Sequence, residues 1–192
     1  MKTRIAIFAS GSGSNAQKIL EYFKHHDQGE VVLILTNNPQ SYVLQRADNF
    51  EIPSHVFTRN EFYQTDDVVK LLKSMEVDLV VLAGFLWLVP ASLLKAFPNQ
   101  IINIHPALLP KYGGKGMYGD NVHKAVLANG ETESGITIHF VNEHFDEGET
   151  IHQAKFKIEP GDTLDSIKLK GQQLEHQHLP KVIEGLLKKV RK

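Results

Sequence analysis

The sequence predicts an α/β protein, a mostly parallel sheet with helices on both faces. Three observations carry that expectation. Short apolar runs alternate with segments of helical periodicity between Ile5 and His105. The run Leu79-Val80-Val81-Leu82 is apolar without alternation, as burial on both faces of a parallel sheet requires. The first strand passes into the first helical pattern through the glycine-rich turn Ser10-Gly11-Ser12-Gly13.

The elements follow in order. Ile5 to Ala9 reads as a strand, and Ala16, Ile19, Leu20 and Phe23 recur at helical spacing after the glycine turn. Val31 to Leu35 is a second buried strand ending at Thr36-Asn37-Asn38-Pro39, followed by a helix over Val43 to Phe50 and a short strand over Ser54 to Phe57. Phe62 to Met75 has helical periodicity through Val68, Val69, Leu71 and Leu72. After the strand Leu79 to Ala83, Pro90 opens a short helix to Phe97, and Ile101 to His105 is the fifth strand. Gly113 to Gly119 is a flexible loop and Val122 to Ala128 a helix. Ile136 to Val141 alternates as a strand, and Ile151 to Ile158 is another, partly exposed. Thr163 opens a final helix to Lys192, with a break expected near Pro180.

With 192 residues, 42% of them hydrophobic, the chain is long enough for one domain with a real core. Lys and Arg number 21 against 22 Asp and Glu, which gives no electrostatic reason to propose a nucleic acid or a membrane as partner. No cysteine is present, so thiol nucleophiles, disulfides and cysteine-based zinc sites are excluded. No apolar run approaches a membrane span, and the N-terminus lacks a signal-peptide pattern, so a cytoplasmic protein is expected. The basic segment Lys188 to Lys192 reads as a solvated tail.

Asn103-Ile104-His105-Pro106 carries the most chemical information. Alternation puts Asn103 and His105 on one side of the fifth strand and Ile104 on the other. Pro106 cannot donate to a ladder and ends the strand. An amide donor and an imidazole then stand together at a strand's carboxyl end, where open α/β sheets bind ligands. That pair suits acyl-type transfer.

The loop Ser10 to Ala16 matches the G-x-G-x-x-A dinucleotide pattern formally, but Thr36-Asn37-Asn38 supplies no acidic residue for a ribose hydroxyl. The loop also lacks a P-loop lysine. Two readings remain: a phosphate-monoester site at a helix N-terminus, or a tight turn with Ser14 or Asn15 as a helix cap. The turn Asn142 to Gly148 holds Asp146, either solvated or near His105, where its charge would raise the histidine's pKa. Of the ten histidines, His25, His26, His144, His152, His176 and His178 show no metal-ligand spacing, and His139 reads as a satisfied core histidine. His176 and His178 would point about 200° apart on a helix, so no metal is expected.

Over essentially its whole length the chain resembles the folate-dependent phosphoribosylglycinamide formyltransferases, whose Rossmann-like formyltransferase fold it is then expected to share. The resemblance rests on Ser10 to Asn15, Leu82 to Phe85, Asn103 to Pro106 with Leu108 to Tyr112, and His139 to Gly148, in the family's order. Gln172 to His176 ahead of Pro180 adds a fifth match. The resemblance implies a single domain, 1–192, with a phosphate-binding half of about 1–100 and a folate and catalytic half of about 101–192. It implies Asn103, His105 and Asp146 as the catalytic set. Asn103 and His105 would stabilise the oxyanion of a tetrahedral intermediate, and Asp146 would raise the His105 pKa. Gly13, Ser14, Asn15 and Glu175 would hold glycinamide ribonucleotide. Arg59, Leu86, Trp87, Leu88, Val89 and Asn103 would meet 10-formyltetrahydrofolate, the co-substrate, with no metal. The partners would be these small molecules, on a monomer or homodimer.

Two departures stand out. Trp87 occupies a position where that family commonly has arginine, and the segment Gly113 to Asp120 is longer and richer in glycine. It either covers the substrate or is a solvated excursion. Two other readings are a formyltetrahydrofolate deformylase, with water as acceptor, and a non-catalytic nucleotide-binding module.

Overall fold

The computed structural model describes residues 1–190; Arg191 and Lys192, at the end of the expected basic tail, lie outside the described residues. Seven strands form one sheet in the order β3-β2-β1-β4-β5-β6-β7. They are β1 (Thr3–Phe8), β2 (Gly29–Thr36), β3 (Ser54–Val56), β4 (Leu79–Leu82), β5 (Ile101–His105), β6 (Glu133–Phe140) and β7 (Thr150–Lys157). The first five run parallel, while β6 is antiparallel to both β5 and β7. The helices are α1 (Ser14–Phe23), α2 (Val43–Asn49), α3 (Arg59–Tyr63), α4 (Asp67–Ser74), α5 (Ala91–Ala96), α6 (Asp120–Ala128) and α7 (Leu164–Val190).

Alternation along the strands builds a core on each face. Ile5 and Ile7 of β1 join α1, α2 and α7 on one side. Ala6 and Phe8 join the helices between β3 and β5 on the other. All four residues of β4 are buried, as its uniform apolar run predicts. β7, at the sheet's edge, is only partly buried and carries Lys155 and Lys157.

Two expectations are corrected. Phe62 to Met75 is two helices, α3 and α4, not one. Thr65 Oγ1 donates to Asp67 Oδ2 at 2.7 Å, and such short polar side chains compete with the helix ladder. Upstream, Thr58 and Glu61 form a capping box that starts α3 three residues before the apolar periodicity begins. The break expected at Pro180 does not occur, and α7 runs through it. Leu179, Ile183, Leu186 and Leu187 pack into one continuous core on both sides of the proline, which holds the helix despite the missing N–H donor. Ser134 to His139 of β6 are all buried, in keeping with the expected core position of His139.

The chain builds β1, β2 and β3 outward, then crosses back to place β4 on the other side of β1. That reversal opens a crevice at the carboxyl ends of β1 and β4. The loop after each strand forms its walls. Ser10 N–H donates to the Gly84 carbonyl at 3.0 Å and Leu86 N–H to Ser10 Oγ at 3.2 Å, tying the walls together.

Candidate active site

A cavity of about 750 Å³ occupies this crevice and extends past the end of β5 to α7. β5 delivers its central pair. Ile102 and Ile104 pack into the core, which turns Asn103 and His105 to the other side, where both line the cavity.

β6 sets His139 opposite Asn103 and Thr137 opposite His105. His139 is buried, and its Nδ1 lies 2.8 Å from the Phe140 carbonyl. A carbonyl only accepts, so Nδ1 carries the proton and Nε2 offers a lone pair. Asn103 Nδ2 donates to that lone pair at 3.2 Å and to Asp146 Oδ1 at 3.4 Å. By the same logic His105 Nε2 donates to the Tyr112 carbonyl at 2.7 Å, while its Nδ1 lies 3.4 Å from Asp146 Oδ2. Thr137 accepts from Leu109 N–H at 3.0 Å and donates to the Ala107 carbonyl at 2.7 Å, fixing the path of the chain as it leaves β5.

Asp146 is thus a half-buried carboxylate touching both residues of the pair. It comes from the turn after β6 in a left-handed conformation, φ 58, that aspartate tolerates better than most residues. Gly114 N–H donates to its Oδ2 at 3.0 Å. The turn is therefore part of the site rather than solvated. Tyr112, at φ 59, is a bulky residue in the same conformation, which costs on the order of 1–3 kcal/mol. Glu131 and Asn129 hold its hydroxyl at 2.8 and 2.9 Å.

The expected influence of Asp146 on His105 is present, but burial outweighs it. Burial pulls the His105 pKa below its ordinary value; the Asp146 charge and the Tyr112 carbonyl push the other way without overcoming it. His105, 4% exposed, therefore takes up a proton less readily than an exposed histidine, despite the Asp146 charge beside it. Burial pushes the Asp146 carboxyl up, but His139, His105 and the Gly114 N–H outweigh it, and its pKa falls below the ordinary value.

At one end of the cavity, Gly13 caps α1 in a left-handed conformation, φ 68, with no side-chain cap. Of the two readings left open for this loop, a cap by Ser14 or Asn15 is not what these residues form. Ser14 Oγ accepts from Gln172 Nε2 at 3.2 Å, and Asn15 Nδ2 donates to Glu175 Oε2 at 2.7 Å. The N–H groups of Ser14, Asn15 and Ala16 precede the first helical bond, from Gln17 N–H to the Gly13 carbonyl. Asn15 is 8% exposed, lines the cavity, and its Oδ1 has no partner among the described residues. Burial raises the Glu175 pKa, against the Asn15 bond that lowers it.

At the other end, Leu86, Trp87, Leu88 and Val89 line the cavity after β4. Trp87 packs at ring-centroid distances of 5.9–6.3 Å from Phe57, Phe62, Tyr63 and Phe85. Arg59 lies behind this wall, its guanidinium 5.3 Å from the Trp87 ring and 5.7 Å from Tyr63, beside a separate surface depression. Gly114 to Asp120 line the cavity, while Lys115, Gly116, Tyr118, Gly119 and Asp120 are also exposed to solvent.

The formyl transferase family model matches residues 3–183. The chain belongs to the formyl transferase family. It is 38% identical over 189 residues to the phosphoribosylglycinamide formyltransferase of Bacillus subtilis, covering 96% of this chain and 94% of that one. A chloroplastic phosphoribosylglycinamide formyltransferase of Arabidopsis thaliana is 46% identical over 151 residues, 76% of this chain. This chain spans about half to three-fifths of the length of the plant relatives it matches. The crystal structure of phosphoribosylglycinamide formyltransferase from Bacillus halodurans superposes with TM-score 0.87 at 37% identity, covering 96% and 95% of the two chains.

In this formyl transferase the structure brings Asn103, His105 and Asp146 together, sets Gly13 to Asn15 and Glu175 at one end and Leu86 to Val89 at the other, and keeps Arg59 outside the cavity wall. Sequence reasoning missed His139 as a member of the site. The signal was available. His139 and Thr137 share a face of β6 and are polar, and a strand pairing with β5 turns that face toward Asn103 and His105. No helix among the described residues is long and apolar enough to cross a membrane.

Proposed function

We propose that the chain transfers the formyl group of 10-formyltetrahydrofolate to the amine of 5′-phosphoribosylglycinamide, yielding 5′-phosphoribosyl-N-formylglycinamide and tetrahydrofolate, a step of de novo purine (IMP) synthesis. The observation that carries the reading is the meeting of Asn103, His105 and Asp146 between an uncapped helix N-terminus and an apolar wall. The helix N-terminus suits a phosphate monoester. Leu86, Trp87 and Val89 suit the ring faces of a folate, whose polar edge is left for polar partners such as Asn103.

The residues divide the chemistry as follows. The amine nitrogen attacks the formyl carbon; a C–N bond forms and negative charge moves to the formyl oxygen. Asn103 Nδ2 donates to that oxygen, giving up its longer bond to Asp146 and keeping the one to His139. Such a donor is worth about 3 kcal/mol in the transition state. His105, with its Nε2 proton committed to Tyr112, accepts the amine's proton at Nδ1 and, once charged, joins Asn103 in stabilising the oxyanion. Asp146 stabilises the imidazolium that forms. The same proton then passes to the folate nitrogen as its bond to the formyl carbon breaks. Atoms and charges balance without a covalent enzyme intermediate. Glu175, steered by Asn15, contacts the glycinamide end.

A steady-state assay with glycinamide ribonucleotide and 10-formyltetrahydrofolate tests the reading, following the absorbance of the deformylated folate. Product that forms only with the nucleotide present is the expected result. Product without it makes water the acceptor and the chain a deformylase. No product in either case, with the nucleotide still bound, leaves a binding module.

A further inference from the structure

The backbone of the glycine loop is fastened from below, by a segment the reaction does not use. The carbonyls of Ser10, Gly11 and Ser12 each accept a side-chain donor from the stretch between β2 and the middle of α2. Asn38 Nδ2 donates to Ser10 O at 3.4 Å, Ser41 Oγ to Gly11 O at 2.6 Å and Arg46 Nε to Ser12 O at 2.7 Å. Val43 N–H adds a second bond to Gly11 O at 3.3 Å. In a planar trans peptide the N–H points opposite the carbonyl. Turning these three carbonyls toward α2 therefore turns the N–H groups of Gly11, Ser12 and Gly13 away from it, toward the cavity those residues line. Successive N–H groups aimed one way make an anion-binding nest, and it is continuous with the free N–H groups that open α1.

Arg46 is the member of this clamp with most to do. Its Nη1 also donates to Gln17 Oε1 at 3.0 Å, and its guanidinium lies 5.0 Å from the Tyr42 ring. It thus joins the loop, the first turn of α1 and α2, and it brings a fixed positive charge to the floor of the nest. Gly13 leaves the clamp no slack, since a Cβ there would lie 2.5 Å from Val43 Cγ2.

We infer that Arg46 is a positioning residue that holds the loop amides toward the cavity and so sets the preference for a phosphorylated over an unphosphorylated substrate. Asn38 and Ser41 assist it. Arg46 acts through the backbone, so its loss weakens capture of the phosphate and leaves the formyl-transfer machinery at Asn103 and His105 in place. This inference rests on the proposed function for its turnover readout, and on the loop geometry alone for its binding readout.

The test compares the full chain with Arg46→Met and Arg46→Lys. Turnover is measured with glycinamide ribonucleotide and with the unphosphorylated glycinamide riboside. Binding of ribose 5-phosphate is measured by calorimetry, with no folate present. For Arg46→Met the expected result is a KM for the nucleotide raised about 10- to 100-fold, with kcat little changed and the riboside unaffected. Ribose 5-phosphate affinity falls by a similar factor. Arg46→Lys keeps the charge but not the paired Nε and Nη1 bonds, and recovers only part of the loss. Equal KM values for wild type and Arg46→Met, or equal losses with nucleotide and riboside, overturn the inference. If wild type turns over neither substrate, the proposed function fails, and the calorimetric comparison still decides the role of Arg46. Should Arg46→Met not fold, Ser41→Ala stands in. It removes the bond to Gly11 O and is expected to weaken ribose 5-phosphate binding; unchanged binding then overturns the inference.

Discussion

At His105 an acceptor faces each ring nitrogen, the Tyr112 carbonyl at Nε2 and the Asp146 carboxylate at Nδ1. Burial nevertheless keeps its pKa below the ordinary value. A group that works as a neutral base with a lowered pKa stays active at pH values where an exposed histidine is already protonated. The acid limb of kcat/KM is therefore expected below about pH 6.5, the unperturbed histidine value. Asp146→Asn removes an influence that raises that pKa, so the limb moves to still lower pH while kcat falls about 10²- to 10⁴-fold. A limb that moves upward in the variant contradicts this assignment. Asn103→Ala removes the oxyanion donor and is expected to lower kcat by about 10²- to 10³-fold, measured at saturating substrates. The pairing of Asn103 with His105 was legible because alternation in a strand is local. Asp146 was legible only through the family resemblance; spacing left it either solvated or near His105, because its approach depends on the turn after β6 and on a left-handed backbone. The net pKa direction was illegible for a similar reason. It depends on how deeply the fold buries His105, which a list of neighbours does not give.

The glycine-rich turn and α1 act as one element, and their joint is Gly13. A side chain there meets Val43 and demands a left-handed backbone. Gly13→Ala is expected to cost about 1–3 kcal/mol and to weaken nucleotide binding. Thermal unfolding beside a nucleotide titration checks both, and an unchanged Tm with unchanged affinity would show that the loop adapts freely. The wall after β4 has its own test. Trp87→Ala opens the aromatic cluster and frees Arg59, so KM for the folate is expected to rise about tenfold with the nucleotide KM unchanged. Elements with long apolar periodicity, such as α1 and β4, were plain in the sequence. The division of α3 from α4 was hidden because Phe62 and Val69, seven residues apart, keep the helical spacing across the break. What separates the helices is the hydrogen bonding of Thr65 and Asp67.

Across the whole molecule, His105, His123, His176 and His178 share a pKa lowered from the ordinary value, with burial the largest cause in each. The unfolded chain binds more protons than the folded one wherever these groups are charged only when exposed. Stability therefore rises with pH through that window and is lost as pH falls below about 6.5. Glu175 works in the opposite sense, its raised pKa favouring the fold at low pH, but it is one group against four. Urea unfolding at pH about 7.5 and about 5.5 is expected to show a lower midpoint at the lower pH with the slope unchanged. A flat midpoint would mean these rings are not desolvated in solution.

The meeting of Asn103 with His139 joins two strands whose faces alternate at every residue. Adding or removing one residue in β5 or β6, without a bulge to absorb it, replaces His139 opposite the amide with Ile138 or Phe140. Two residues leave the pairing face intact. Descendants of this chain are thus free to change length in the loops flanking these strands, while inside the strands they must change by even steps, and parity becomes an inherited constraint on the site.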